Sequence, residues 1–306
     1  VREGHGDLHL GTLVAWSPAG EEDHRAEPLG RMFDGIEFCE EFRWIDVVND
    51  VAFTVMDVAD RGRKDLARRL RNAYLERTGD YAGLAVWPWY LAYRALVRAK
   101  VACLRAGQQP AGSADRARCL EEAAGYLRLA EDCERPPEPS LIITYGLSGS
   151  GKTSGTEPLV ECLGAIRVRS DVERKRLAGL AAEDSGGSGV GTGLYTREWS
   201  RRTYDRLLVL AREIIEARFP AVVDATFLSR EERSRFHRLA AQLGVPFAIM
   251  ACDAPIPELE RRIRSRAGDA SDATIEVLRQ QLAVREPLDD RELIHVRTPQ
   301  SLTAPA

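Results

Sequence analysis

"GLSGSGKT", residues 146–153, decides how this chain is read. It fits the pattern GxxxxGK[ST]. It follows the apolar run "LIITY" (141–145) and precedes a helical pattern, the strand–loop–helix context that a phosphate-cradling loop requires. Glycines let the backbone close around phosphate oxygens, and successive N–H groups and the helix N-terminus then point at the anion. Lys152 supplies a mobile positive charge for the β and γ phosphates, and Thr153 a hydroxyl for Mg2+. The pattern therefore predicts ATP and Mg2+ as cofactors. Its expected contacts are Gly146, Ser148, Gly149, Ser150, Gly151, Lys152, Thr153 and Ser154.

Working outward, "AIRVRS", "AVVDATF", "PFAIMAC" and "LIHVRT" read as further strands separated by helical stretches, with a glycine-rich loop at 184–193. Strands that alternate with helices predict an α/β fold with a parallel sheet covered on both faces. Asp171 in "RVRSDVERKRL" falls just after the second strand, facing the crevice at the carboxyl ends of the strands, where a carboxylate can take a proton from a substrate hydroxyl. Ser170 and Glu173 also fit a capping box, and the two roles are compatible. Asp224 ends the third strand and is a candidate for holding Mg2+, directly or through water; Ser229 and Glu232 supply a separate box for the next helix. In "LERRIRSRAGDASDA" (259–273), Arg262 and Arg266 share a helix face and could clamp phosphates in the transition state. A solvated face is the alternative.

The first half has a different texture. "GTLVAW" and "RMFDGIEF" read as strands around an acidic loop at 18–29. From Asp46 the apolar spacing is helical through "VVNDVAFTVMDVADRG", "KDLARRLRNAYLERTG" and "WPWYLAYRALVRAKVACLRAG", with Gly79 and Gly107 as stops. Ser113 opens another helix, and "RPPEPS" (135–140) reads as a linker. The expected division is 1–110, a helix and linker at 111–140, and 141–306. A length of 306 residues suits two domains, and no internal repeat is visible. The formal net charge of −4 argues against a surface that coats nucleic acid. No run of 18 apolar residues predicts a membrane span. Six scattered cysteines read as reduced, mostly buried thiols of a cytoplasmic protein.

Residues 141–290 resemble the P-loop kinases of the zeta-toxin and AAA-type "predicted kinase" group, and are similar to gluconate kinases and the kinase domain of polynucleotide kinases. "GLSGSGKT", "RVRSDVERKRL", "VVDATFL", "RRIRSR" and "DASDATIEVLRQQL" carry the likeness. It implies Lys152 and Thr153 on ATP·Mg, Asp171 near the acceptor hydroxyl, and Arg262 or Arg266 in a lid. "HGDLHLGT" (5–12) resembles the catalytic loop of aminoglycoside phosphotransferase-like kinases, with Asp7 as the base, and "FDG" (33–35) would supply the metal-binding Asp34. That family's Asn is Thr12 here, and its glycine-rich loop and strand lysine have no counterpart before Val1. The resemblance implies a bifunctional protein, N-terminally truncated, whose first half is a mostly helical partial C-lobe inactive by itself. Three functions stay open: phosphoryl transfer to a small-molecule hydroxyl, a regulatory ATP-binding module, and a kinase acting on a nucleic-acid end.

Overall fold

The computed structural model describes residues 1–16, 29–133, 138–181, 184, 196–265 and 273–303. The expected loop at 18–29 (save Leu29), the start of the 135–140 linker, the 184–193 loop beyond Asp184, and Arg266 lie outside the described residues. The chain divides into two compact units, Val1–Arg71 with Gly83–Pro136, and Asn72–Ala82 with Pro137–Ala306. Among the described residues no helix is long and apolar enough to cross a membrane. None of the six cysteines forms a disulfide, and none is buried: Cys103 and Cys162 are exposed and the rest half-exposed.

In the first unit, β1 (Arg2–Glu3), β2 (Leu13–Trp16), β3 (Leu29–Met32) and β4 (Trp44–Ile45) form two antiparallel pairs, β1 with β4 and β2 with β3. Of the expected strand "RMFDGIEF" only Arg31 and Met32 are extended. Asp34 sits at φ 58°, a left-handed conformation that carries the chain out of the ladder. Then come α1 (Val47–Asp60), α2 (Lys64–Thr78, which from Asn72 onward belongs to the second unit), α3 (Trp87–Gly107) and α4 (Ala114–Cys133). The Asp46 carboxylate accepts the Val48 N–H at 3.0 Å and starts α1, and the Ser113 hydroxyl does the same for α4 through Arg116 at 3.2 Å. Phe53 and Met56 of α1 pack with Ala95 and Ala99 of α3 and with Tyr126 and Ala130 of α4. Ala95, Ala99, Ala102 and Ala106 recur on one buried face, and their small side chains let the α4 backbone come close.

The second unit contains β5 (Leu141–Tyr145), α5 (Lys152–Leu163), β6 (Ile166–Arg169), α6 (Ser170–Leu177), α7 (Arg197–Glu216), β7 (Ala221–Asp224), α8 (Arg230–Leu243) and β8 (Phe247–Ala251). It ends with α9 (Ile256–Arg264), α10 (Ile275–Val284), α11 (Asp290–Leu293), β9 (Val296–Arg297) and α12 (Pro299–Thr303). The five strands are parallel in the order β6-β7-β5-β8-β9, so the expected α/β sheet is present, with the glycine-rich loop leaving its central strand. Every residue of β5 and β7 is buried, as strands covered on both faces must be. Ile142, Val222, Ala248 and Met250 from the sheet enclose Leu159 of α5. The edge strand β6 is closed by residues from the end of α2: Asn72 Oδ1 accepts the Arg167 N–H at 2.7 Å, and Glu76 pairs with Arg167 and Arg169 at 3.4 and 3.2 Å.

Neither expected capping box forms. Ser170 is already inside α6, whose N-cap is Arg169. Glu173 is buried and turned to Arg176 and Arg206 instead. Ser229 stands at the N-cap of α8 without a side-chain bond, and Glu232, the other member of that box, pairs with Arg235 at 3.0 Å instead.

Candidate active site

The loop 146–151 closes tightly. The Gly146 N–H donates to Thr226 O at 3.1 Å, and a Cβ at Gly146 would fall 2.2 Å from Cys252 O, so no side chain fits there. Gly151 at φ 86° turns the chain into α5, and no side chain caps that helix, which leaves its positive dipole end to a ligand. Lys152 Nζ donates to Leu147 O at 2.7 Å. Two side chains from later helices brace the loop. Arg262 donates to Gly149 O at 3.2 Å while its Nε donates to Glu258 at 2.6 Å. Hydrogen bonds from Arg261 and Arg262 hold the Glu258 carboxyl down at about 2. Gln281 accepts the Ser148 N–H at 2.8 Å and donates to Ser148 Oγ at 3.0 Å.

Beneath the loop the Thr153 hydroxyl donates to Asp224 Oδ2 at 2.7 Å. Asp224 is 5% exposed, and burial pushes its carboxyl above the usual range, opposed by the Lys152 charge and the Thr153 hydrogen bond. A hydroxyl and a carboxylate are the hard oxygen donors that Mg2+ takes. Among the described residues no cluster of three or more His, Cys, Asp or Glu forms a full cage, so water and phosphates would complete the shell, which is how Mg2+ is usually bound. The residues fit the ion.

Asp171 lies in the first turn of α6, directly after β6, with Arg174 donating to it at 3.4 Å. Lys152, Thr153, Asp171, Asp224 and Arg262 all line one cleft of about 1500 Å³, joined by Ser148, Gly149, Gly151 and Ser154. Gly146 and Ser150 are buried and do not line the cleft. Two residues outside the sequence motifs, Arg233 and Tyr204, hold segments that line the cleft. Arg233, 1% exposed, donates to the carbonyls of Phe227, Leu228, Glu286 and Pro287 and pairs with Glu292 at 2.6 Å. Tyr204 accepts the Phe227 N–H at 3.1 Å, beside a Phe227 held at φ 47°, a conformation uncommon for a bulky residue. Charge runs gave no sign of either, because their partners lie far along the chain.

In the first unit the HGD and FDG segments meet. His5 Nε2 lies 2.8 Å from Phe33 O, and the Ile36 N–H donates to His5 O at 3.0 Å. Asp50 Oδ2 accepts the N–H groups of His5 and Gly6 at 2.8 and 3.1 Å, and Arg94 donates to Gly6 O at 2.9 Å. Asp7 is half-exposed, 3.7 Å from His9 Nε2. Thr12 turns its hydroxyl inward onto His9 O at 2.9 Å.

Residues 141–288 match the family model AAA_33, an AAA domain. Uncharacterized proteins of Mycobacterium bovis (strain ATCC BAA-935 / AF2122/97) and Mycobacterium tuberculosis (strain ATCC 25618 / H37Rv) are each 32% identical over 280 residues, 90% of this chain and 52% of theirs. The chain thus spans about half the length of the curated relatives it matches. Among solved structures, a sugar kinase from Janibacter sp. HTCC2649 is 20% identical with a TM-score of 0.39, covering 54% of this chain and 90% of that one. A gluconokinase from Sinorhizobium meliloti 1021 is 22% identical, with a TM-score of 0.34 and coverage of 55% and 89%. The APS kinase CysC of Mycobacterium tuberculosis is 24% identical, with a TM-score of 0.35 and coverage of 42% and 71%.

Proposed function

We propose that the second unit transfers the γ-phosphoryl group of ATP to a hydroxyl of a small-molecule acceptor. The observation that supports it is the placing of Asp171 in the same cleft as Lys152 and the bonded Thr153–Asp224 pair. The loop amides, the α5 N-terminus and Lys152 bind the phosphates. Thr153 and Asp224 would hold Mg2+, which would supply positive charge against that of the transferring phosphoryl group. Asp171 takes the acceptor hydroxyl proton as its oxygen bonds to the γ-phosphorus, and the bond from that phosphorus to the bridging oxygen breaks to release ADP. Arg262, already seated on the loop at Gly149 O, is placed to follow the charge as it moves; Arg266 is proposed for the same lid from its spacing alone.

In the first unit, the bonds of His5 with Phe33 and Ile36 support an aminoglycoside phosphotransferase-like C-lobe, in which Asp7 would take the base position and Asp34 the metal position. Calorimetric titration of ATP·Mg into the chain and into Lys152→Ala tests both readings. One site, lost in the variant, supports the second unit as the nucleotide site. Binding that survives in Lys152→Ala moves the nucleotide elsewhere and refutes it. Asp171→Asn is expected to keep ATP binding and lose ADP release by about 10²-fold or more with an acceptor present; retained turnover removes Asp171 as base.

A further inference from the structure

Helix α7 carries an arrangement that works against its own stability. Arg197 is its first residue, at the positive end of the helix dipole, and Arg201 lies four further on, so two like charges share one face. Both are exposed, and both line the cleft that contains Lys152, Asp171 and Asp224. The other arginines of that cleft are engaged: Arg169 with Glu76, Arg174 with Asp171, Arg235 with Glu232 and Asp205, Arg262 with Glu258. Arg197 and Arg201 have no ion-pair or hydrogen-bond partner among the described residues. Local rules broken without a structural gain mark positions shaped by function.

Their place in the cleft says which anion they would meet. Arg262 and Gln281 are bonded to the glycine-rich loop. α7 instead packs on α6, which carries Asp171, and Tyr204, one turn beyond Arg201, is bonded to the segment after β7. The nucleotide phosphates already have Lys152, Arg262 and the start of α5. Resting on the phosphoryl-transfer reading, we infer that the acceptor carries an anionic group, carboxylate or phosphate, besides the hydroxyl that reacts, and that Arg197 and Arg201 receive it. Two guanidinium forks one turn apart match the paired oxygens of either group.

The test fills the loop first. The full chain is saturated with the nonhydrolysable ATP analogue AMPPNP and Mg2+, then titrated with inorganic phosphate and, separately, acetate. The arginine Nε–H signals are followed by NMR and assigned from the Arg197→Ala and Arg201→Ala variants. The expected result is a saturable shift of both signals along one curve, weakened at least tenfold in either alanine variant. The signal of Arg238, exposed on α8, stays still. Phosphate binding more tightly than acetate points to a phosphorylated acceptor; the reverse order points to a carboxylate. Signals of Arg197 and Arg201 that do not move, or move no more than that of Arg238, overturn the inference. Failure of AMPPNP to bind in the first step would instead remove the phosphoryl-transfer reading, and the two failures are read from separate titrations.

Discussion

Arg233→Met tests how the cleft is held. The side chain is 1% exposed and ties Phe227 O and Leu228 O after β7 to Glu286 O and Pro287 O after α10, while its Nε and Nη2 lie 2.6 and 3.0 Å from the two Glu292 oxygens. Methionine keeps the volume and removes every donor. Removing one partner of a buried ion pair costs about 3–5 kcal/mol. Water can reach Glu286 and Pro287, which are exposed, but not Phe227 and Leu228, at 0% and 7% exposure. Those two carbonyls lose their donor inside the protein, which places the cost in the upper part of that range. For a unit of this size, each kcal/mol lowers the midpoint by about 2–4 °C, so a fall of roughly 8–20 °C is expected. Differential scanning calorimetry on the full chain, with and without ATP·Mg, reads the transition of the second unit. Leu228 and Glu286 line the cleft, so nucleotide stabilisation should shrink in parallel. Arg233→Met with Glu292→Leu should recover part of the loss, since the stranded carboxylate is gone. A midpoint within about 3 °C of the parent would refute the reasoning, because the two segments would then be held by something other than this guanidinium.

Three further outcomes follow from the same geometry. Burial raises the Asp224 carboxyl, so the folded state holds its proton more tightly than the unfolded chain; stability is then lost as pH rises from 3.8 through the folded value. Asp224→Asn should therefore melt higher than the parent at pH 7 and show a flatter dependence on pH, yet lose Mg2+-dependent nucleotide binding; a variant that melts lower at pH 7 contradicts the burial argument. Gln281→Ala frees the Ser148 N–H, and a net hydrogen bond of about 0.5–1.5 kcal/mol corresponds to amide exchange faster by roughly 2- to 12-fold at that residue; unchanged exchange shows that Gln281 does not brace the loop. Arg218 sits at φ 66° just past α7, a conformation that costs a side-chain-bearing residue about 1 kcal/mol, so Arg218→Gly should gain up to that much in urea denaturation, and a loss counts against the assigned helix end.

What could be read from the sequence were runs of neighbours whose chemistry is local. The apolar runs at 141–145, 221–224 and 247–251 became parallel strands, and the catalytic candidates fell at their carboxyl ends, because sheet geometry sends every such end to one crevice. The capping boxes failed for the opposite reason. Each was a pattern of four residues, but Glu173 turned to Arg176 and Arg206 and Glu232 to Arg235, guanidinium partners that lie outside those four. Distance along the chain hid the rest. Gln281 stands 133 residues from Ser148, Arg233 stands 59 from Glu292, and Asn72 stands 95 from the Arg167 N–H it accepts, so the end of a helix in the first half of the chain finishes the edge of the sheet in the second. Arg197 and Arg201 passed unnoticed because arginine is the common base of this chain. Only the structure separates the cleft arginines that have carboxylate partners from the two that have none among the described residues, and it is on that contrast, rather than on the count of charges, that the proposed acceptor site rests.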